Sequence, residues 1–465
     1  MRIFDETIPD VHQFYSLKAT CSLPRLFDTE NKEYYAYNSL SNALIEIDAD
    51  SYLFLQKYQQ YKELPEYVID QDLWDTLCTN GIITENDEDD YLKYKASITN
   101  TRIQQIGMHL TLAPTMDCCF RCHYCFEKYK EKNYMTAETM DAIIKYITAQ
   151  PDLQMMRITW FGGEPLMAIS QIEEFYDKFS AIWKKPISSN IITTGYHINE
   201  EVIRVMKKVG ISSTQITLDG MKETHNKVKH LPSGEDVFER VLKNIELLND
   251  LAPDINIVIR VNLTHENAHE YIPLCQLYSK RFEGRRHMGI SPAFVLDRGA
   301  SNCDRNKIKS TLFNHKERSE FILDLAKQGF DSPFIRYPES AFNECAIRDH
   351  MAISFDPEGY AYKCWEVIGN KEYAIGKINN EGRLMDINEK ILNRQLFGAD
   401  TLEDVVCSQC KYLPICNGGC PLQRIENKFD NGHNCNCTFY KGYMAEFLKI
   451  HIARKKAIEF QSTNK

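Results

Sequence analysis

The residues best suited to chemistry are four cysteines in the stretch TMDCCFRCHYCFEKY, residues 115–129. Two ligand triples are possible: one begins at Cys118 and the other at Cys119, and both continue to Cys122 and Cys125. A closed zinc site needs four ligands, usually as two separated pairs, and His123 as the fourth would lie between two of the cysteines and strain the chelate. Soft thiolates also hold iron–sulfur clusters, and three of them leave one iron open. The spacing therefore favours an iron–sulfur cube.

A second group of cysteines lies towards the C-terminus. Eight of the sixteen cysteines fall in this region: Cys345, Cys364, Cys407, Cys410, Cys416, Cys420, Cys435 and Cys437. Clustering of this kind indicates metal binding, and a disulfide framework is not expected in a reducing cytosol. Taken alone, the second group would favour a zinc ribbon. The remaining four are scattered and are expected to be small buried hydrophobic residues: Cys21, Cys78, Cys275 and Cys303.

Composition and charge narrow the class of protein. The chain has 465 residues, of which 43% are hydrophobic and 26% are charged, so two or three globular domains are expected. A formal net charge of −10 argues against nucleic acid as a partner. No apolar run approaches the roughly 20 residues of a membrane span, and the N-terminus has no signal-peptide pattern. We therefore expect a cytoplasmic protein without a membrane partner.

The middle of the chain alternates between strand and helix patterns. The predicted strands are 108–113, 155–161, 190–194, 214–218, 255–262 and 288–294, and predicted helices between them include 136–149, 170–183, 199–209 and 237–249. Six alternations of this kind predict a parallel sheet or an incomplete barrel, whose chemistry lies at the carboxyl ends of the strands. The first cysteine group follows the first strand directly. Before this cysteine group, the pattern of residues 1–100 predicts a small strand–helix module with a linker helix.

The first cysteine motif, Cys118-x3-Cys122-x2-Cys125 with Tyr124 before the last cysteine, resembles the signature of the radical SAM superfamily. The resemblance implies that these three cysteines hold a 4Fe–4S cluster, that Tyr124 belongs to the SAM-binding site and that Cys119 is a bystander. Its open iron would take the amino and carboxylate groups of S-adenosylmethionine (SAM). Reductive cleavage of SAM would then give a 5′-deoxyadenosyl radical that abstracts hydrogen from the substrate.

Further motifs agree with this resemblance. The stretch WFGGEPL carries Gly162, Gly163 and Glu164, and it resembles the SAM-methionine site, in which the carboxylate would accept from the ammonium. At the third strand the family often has a TNG turn beside the SAM ribose, and this sequence has Thr194 followed by Gly195 there, without the asparagine. Arg260 could meet the SAM carboxylate or form an interior salt bridge. Asp219, in TQITLDG, could act directly or simply end a strand in a turn.

The second cysteine group resembles the SPASM extension of radical SAM peptide maturases, which holds two auxiliary 4Fe–4S clusters. The resemblance implies three clusters in all. Auxiliary cluster I would use Cys345, Cys364 and Cys420, and auxiliary cluster II would use Cys407, Cys410, Cys416 and Cys437 (or Cys435). Sulfatase-maturing relatives carry another cysteine between 345 and 364, which is absent here. Cluster I could thus be one ligand short and hold a substrate thiolate, or it could take Cys303, Cys275 or water.

The N-terminal module resembles the winged-helix element that binds leader peptides. The predicted fold is therefore α/β: a partial (β/α)6 TIM-like barrel over 101–310, a winged-helix-like peptide-recognition module over 1–100, and a bridging and SPASM region over 311–465. The implied enzyme installs a cysteine thioether in a ribosomally made precursor peptide, with a reductant such as flavodoxin or ferredoxin. The alternatives are a carbon–carbon cross-linking maturase, a formylglycine-forming sulfatase-maturing enzyme and a non-catalytic zinc-binding interaction protein.

Overall fold

The structure is a computed structural model that describes residues 25–28, 32–61, 71–83, 87–127, 131–296, 310–330, 335–342 and 344–463. The chain forms two compact units from segments that are not consecutive. The terminal unit consists of Met1–Arg102, His315–Cys345 and Gly398–Lys465, and the sheet unit consists of Ile103–Asn314 and Ala346–Phe397. The predicted limits near 100 and 310 fall close to two of these boundaries. The N-terminal module and much of the predicted C-terminal extension share one compact unit.

The N-terminal part of the terminal unit is a small antiparallel sheet followed by helices. Its strands lie in the order β1-β2-β3, with bounds β1 Arg25–Asp28, β2 Tyr34–Tyr37 and β3 Leu44–Ile47; the helices are α1 Ala49–Tyr61, α2 Gln71–Thr79 and α3 Asp87–Ile103. Asp48 caps α1, because its Oδ1 accepts from the backbone N–H of Ser51 at 2.7 Å. Strand β2 is buried on both faces: Ala36 packs with residues of α1 and α2, whereas Tyr35 and Tyr37 pack against C-terminal helices of the same unit.

The sheet unit contains the six predicted strands, each confirmed within three residues at either end. They are β4 Gly107–Leu112, β5 Met155–Trp160, β6 Ile187–Thr193, β7 Ile211–Leu218, β8 Asn256–Leu263 and β9 Met288–Phe294. All are parallel neighbours in chain order. The helices that connect them are α4 Ala137–Thr148, α5 Ile169–Ile182, α6 Glu200–Lys208, α7 Lys222–Val228, α8 Val237–Leu251 and α9 Tyr271–Arg281. The fold is α/β, with the parallel strands of a partial barrel.

Four short strands extend this sheet and were not predicted. Their bounds are β10 Ala352–Phe355, β11 Tyr360–Tyr362, β12 Gly376–Ile378 and β13 Leu384–Met385. The full order is β13-β12-β11-β10-β4-β5-β6-β7-β8-β9, with β10 parallel to β4 and the other added pairs antiparallel. Strands of two to four residues are too short to show a period-2 pattern. As a result, part of the region predicted as the bridging and SPASM extension belongs to the central sheet.

The remaining helices are divided between the two units. They are α10 His315–Lys327, α11 Glu389–Phe397, α12 Val405–Ser408, α13 Leu413–Cys416, α14 Pro421–Phe429 and α15 Met444–Thr463. Only α11 belongs to the sheet unit. Helix α15 buries Met444, Phe447, Leu448 and Ile452. No helix in the described ranges is both long and apolar enough to cross a bilayer.

The turn between β10 and β11 carries a buried carboxylate whose protonation should affect stability. Asp356 accepts from the backbone N–H groups of Glu358 and Tyr360 and from the Tyr362 hydroxyl. Burial raises the pKa of Asp356 to about 6. Because the folded-state pKa lies above the ordinary value, the protonated form stabilises the fold at low pH, and this contribution is lost as pH rises through about 6.

We therefore expect the unfolding free energy of the wild type, relative to Asp356→Asn, to fall by about 1 kcal/mol between pH 5 and pH 7. Denaturant unfolding of both proteins at the two pH values measures this difference. Groups outside the turn cancel in the comparison because both proteins carry them. If the difference in unfolding free energy between the wild type and Asp356→Asn is the same at both pH values, the raised pKa of Asp356 is contradicted.

Candidate active site

A cavity of about 320 Å³ lies at the carboxyl ends of the parallel strands in the sheet unit. Its walls come from the loop after β4, the ends of β5, β6 and β9, and inward-facing residues of β7 and β8. This is the edge at which barrels of parallel strands carry their active sites. Five of the predicted SAM-site residues line it: Tyr124, Gly162, Gly163, Thr194 and Arg260.

The three predicted cluster ligands, Cys118, Cys122 and Cys125, line this one cavity, whereas Cys119 is not among its lining residues. The Cys119 thiol is hydrogen-bonded to Cys118, which raises its pKa. Among the described residues, no three His, Cys, Asp or Glu side chains converge in a way that would hold a single metal ion. Thiols spread along a cavity wall suit a cube instead, in which each thiolate binds a different iron.

The cysteine loop is fixed against the glycine pair that follows β5. The N–H of Gly163 donates to the carbonyl of Thr115 at 3.1 Å, and the N–H of Glu164 donates to the carbonyl of Asp117 at 2.8 Å. A Cβ on Gly162 would lie 2.5 Å from the Thr115 carbonyl oxygen, and a Cβ on Gly163 would lie 2.1 Å from that of Asp117. The two loops can therefore pack together only when both positions are glycine.

Glu164 is placed differently from the prediction. Its side chain is fully buried, it is not among the residues that line the cavity, and its carboxylate accepts four hydrogen bonds from the protein. The donors are Leu166 N at 3.0 Å, Thr193 Oγ1 at 2.6 Å, Thr194 N at 2.8 Å and Thr194 Oγ1 at 2.5 Å. A carboxylate has about four acceptor sites, so none is left for a ligand ammonium. Glu164 instead joins the glycine loop to the end of β6 and thereby positions Thr194.

Arg260 presents a cation to the cavity. Its Nε donates to Asn262 Oδ1 at 3.0 Å, and no carboxylate of the described residues lies within ion-pair distance. Burial lowers the pKa of Arg260, but a guanidinium stays charged at neutral pH. Of the two predicted roles, the interior salt bridge is thus not formed by any described residue. Contact with a ligand carboxylate stays a prediction.

Two further groups of side chains in the cavity were not predicted. One is Lys229, at the end of α7, which pairs with Asp219 behind the cavity wall. The other is a stack of three rings. Phe126 and Phe161 lie 6.2 Å apart, and Phe161 and Trp365 lie 5.6 Å apart, with interplanar angles of 9° and 24°. Trp365 is 41% exposed. The only sequence signal for Trp365 was its position beside Cys364.

Comparison with known proteins agrees with this geometry. Residues 112–277 match the model of the Radical SAM superfamily. A cysteine-type anaerobic sulfatase-maturating enzyme from Clostridium novyi is 27% identical over 363 residues, which cover 70% of this chain and 91% of that protein. The radical SAM cyclopropyl synthase TigE from Paramaledivibacter caminithermalis is 21% identical and aligns with 86% of this chain and 89% of its own length.

This chain is a radical SAM enzyme. Its fold also resembles the solved structure of native anSMEcpe with bound AdoMet, with a TM-score of 0.55, 18% identity and coverage of 77% of this chain and 100% of that one. The family implies SAM and a 4Fe–4S cluster. When bound, these supply a 5′-deoxyadenosyl radical that removes hydrogen from a substrate. The alternative of a non-catalytic zinc-binding protein is therefore set aside.

The cavity of this radical SAM enzyme fits that cofactor set. The three thiols offer ligands to a cluster, and the backbone N–H of Phe120 donates to Cys118 Sγ at 3.5 Å. At Gly162 and Gly163 the backbone itself lines the cavity, because no side chain covers it. The Arg260 cation can form a charge-assisted hydrogen bond with a ligand carboxylate. Cys118, Cys122 and Cys125 would hold the cluster, whereas Arg260, Thr194 and the glycine pair would bind SAM.

The C-terminal cysteines of the terminal unit occupy short helices and the turns between them. Cys407 lies in α12, Cys416 ends α13 and Cys420 precedes α14. Burial, together with the nearby Cys410 and Cys437 thiols, raises the pKa of Cys416 to about 11, although the backbone N–H groups of Gly418 and Thr438 donate to its sulfur. Three of the four predicted ligands of auxiliary cluster II, which are Cys410, Cys416 and Cys437, are thus near enough to influence one another, and their shared ligation stays a prediction. Backbone donors to sulfur are common around iron–sulfur clusters.

The predicted ligands of auxiliary cluster I are distributed over both units. Cys345 and Cys420 belong to the terminal unit, whereas Cys364 belongs to the sheet unit, where it precedes the 3₁₀ turn Trp365–Val367. That these three cysteines bind one iron–sulfur cluster stays a prediction.

Gly419 allows the Cys416–Cys420 turn to approach the loop that carries Cys435 and Cys437. A Cβ at Gly419 would lie 2.1 Å from the backbone oxygen of Asn436, and its φ is +74°. We expect Gly419→Ala to lose about four irons per chain, the content of one cubic cluster. Anaerobic reconstitution followed by iron and sulfide analysis measures this loss.

Gly442→Ala is the matched control. Gly442 has a φ of +91° but open space around its Cβ position, so the substitution reproduces the backbone strain without the contact. Full iron content in both variants would contradict a cluster at this turn.

Proposed function

We propose that this radical SAM enzyme forms a cross-link, most simply a thioether between a cysteine sulfur and an acceptor carbon, in a ribosomally made precursor peptide. The overall change converts SAM and the peptide into methionine, 5′-deoxyadenosine and cross-linked peptide, with release of one proton. Flavodoxin or ferredoxin would supply the priming electron. Clusters held by free thiolates suit the reducing cytoplasm, and we place the enzyme there.

The observation that best supports a peptide substrate is the N-terminal sheet. Strand β3 pairs only with β2 among the described strands, so it forms an edge of the sheet. An edge strand beside a helix is the surface on which an extended peptide adds a strand by β-augmentation. The solved anSMEcpe structure with the Kp18Cys peptide adds a peptide-bound protein of similar fold, at a TM-score of 0.54 and 18% identity.

The thioether product is supported by the cysteine pattern. The absence of a cysteine between 345 and 364 would leave auxiliary cluster I with an open iron, and a thiolate of the substrate would suit that position. Three 4Fe–4S clusters are part of this proposal. An iron content of about twelve per chain after anaerobic reconstitution would support it.

Carbon–carbon bond formation is the second candidate. The similarity to the cyclopropyl synthase favours it, because that alignment spans 86% of this chain, against 70% for the cysteine-type sulfatase-maturating enzyme. Formylglycine formation is a third outcome, which the similarity to the sulfatase-maturating enzymes keeps open.

One experiment separates these products. The reconstituted enzyme is incubated anaerobically with SAM, dithionite and a cysteine-containing short peptide encoded beside its gene, and the peptide is then alkylated with iodoacetamide and analysed by mass spectrometry. A thioether removes two hydrogens and protects the cysteine from alkylation. A carbon–carbon bond removes two hydrogens and leaves the cysteine reactive, whereas formylglycine replaces the thiol by an aldehyde. Equal turnover of a peptide without its leader would contradict recognition at β3.

A further inference from the structure

A buried ion pair lies beside the candidate cluster site, and none of the roles described above uses it. Lys229 and Asp219 are 2% and 1% exposed. Lys229 Nζ donates to Asp219 Oδ2, while the Tyr124 hydroxyl donates to Asp219 Oδ1. The Tyr124 oxygen also accepts from Lys229 Nζ at 3.2 Å and from Asn262 Nδ2 at 3.1 Å. The ion pair and the tyrosine therefore form one closed hydrogen-bonded group.

The pair is held rigidly from behind. The backbone N–H of Asp219 donates to His225 Nδ1 at 3.2 Å, and Asn267 Nδ2 donates to the Asp219 carbonyl at 2.7 Å. Burial alone would lower the pKa of Lys229, but the Asp219 carboxylate outweighs it and raises that pKa, so the pair stays ionised. Removing two charges from water is costly, and apolar residues of similar volume often serve stability as well. The arrangement thus calls for a role other than stability.

The orientation of the pair indicates that role. Lys229 lines the cavity together with the three cysteines, whereas Asp219 is not among the lining residues. The cavity therefore faces the cation, and the balancing carboxylate lies behind it. A cluster bound by thiolates becomes more negative on reduction, and its potential depends on nearby charge. A fixed cation at the wall stabilises the reduced form.

Tyr124 links the pair to the cysteine loop. It lies between Cys122 and Cys125, whose turn is closed by the Cys125 N–H donating to the Cys122 carbonyl at 3.2 Å. Three partners hold the Tyr124 hydroxyl, and Lys229 Nζ lies 5.8 Å from the centre of its ring. The position of this turn, and with it of two of the three thiols, is therefore coupled to the ion pair.

We propose that Lys229 and Asp219 are positioning residues that fix the Cys122–Cys125 turn through Tyr124, and that the Lys229 cation raises the reduction potential of the cluster at this site. The inference rests on the assignment of Cys118, Cys122 and Cys125 as cluster ligands. It goes beyond the proposed peptide chemistry, because it would hold for any substrate.

The test is a redox titration of the reconstituted full-length enzyme followed by electron paramagnetic resonance. The signal that changes when SAM is added reports this cluster and separates it from auxiliary clusters. We expect a lower midpoint potential in Lys229→Met and a nearly unchanged one in Lys229→Arg, which keeps the charge. Tyr124→Phe should alter the line shape because the turn loses its anchor, whereas the potential should change less than in Lys229→Met.

The double variant Asp219→Asn/Lys229→Met removes both charges and covers the case in which the single variant fails to fold. It should also have a lowered potential, because the cavity-facing cation is gone although the net charge is unchanged. A wild-type potential in whichever of the two variants folds with full iron content would overturn the inference. Absence of any signal that responds to SAM in the wild type would instead remove the cluster assignment itself, so the two failures are distinguishable.

Discussion

Replacing Cys118, Cys122 and Cys125 together by alanine is expected to reduce SAM cleavage to background. These three thiols line one cavity, and no other cysteine of the described ranges is among its lining residues. The variant should lose about four irons per chain and keep those bound by the C-terminal cysteines. The measurement is 5′-deoxyadenosine formed from SAM and dithionite under anaerobic conditions, together with iron and sulfide analysis.

Cys119→Ala is the matched control, because this thiol is adjacent in sequence but does not line the cavity. It should keep full iron content and cleavage activity. Deoxyadenosine formation by the triple variant would contradict the assigned ligands. Loss of activity in Cys119→Ala with retention in Cys118→Ala would move the first ligand by one residue.

Gly163→Ala is expected to lower the rate of SAM cleavage by about 100-fold, because a displacement of roughly 1 Å in a catalytic site has an effect of that size. The new Cβ would lie 2.1 Å from the backbone oxygen of Asp117, so the glycine loop and the cysteine loop would have to separate. Deoxyadenosine formation and iron content measure the two consequences. Both loops line the cavity, so both deoxyadenosine formation and iron content should fall.

Gly289→Ala is the control for this variant. Gly289 lies in β9 of the same sheet and has no atom within 4 Å of its Cβ position. It should have wild-type iron content and activity. Gly163→Ala with wild-type SAM cleavage would show that the two loops can separate without affecting the site.

The sequence was sufficient for the parallel strands because β4 to β9 are long enough to show apolar periodicity and are followed by clear helix signals. Thr136, Asn199 and Asp236, for example, cap the helices α4, α6 and α8. It was also sufficient to place three cysteines on one cavity, because a loop that directly follows a parallel strand lies at the active edge of the sheet.

Other features depended on three-dimensional packing that one sequence does not reveal. Three of the four donors to the Glu164 carboxylate come from Thr193 and Thr194 at the end of β6, about 30 residues away in the chain, and they occupy the acceptor sites that its motif would assign to SAM. Lys229 carries no motif of its own, and its pairing with Asp219 depends on the direction of the short helix α7. Trp365 joins the cavity through β10 and β11, which are too short to predict.

The terminal unit takes residues from both ends of the chain. During synthesis, its core can therefore form only after the C-terminal helices have left the ribosome. Tyr35 and Tyr37 share a core with Met444, Leu448 and Ile452, and these partners emerge roughly 20 to 80 s later at ordinary rates of synthesis. Until then, one face of β2 is an apolar surface without its core, and such a surface is prone to aggregation. A premature stop before α15 would therefore remove part of the core that packs against β2 of the N-terminal sheet.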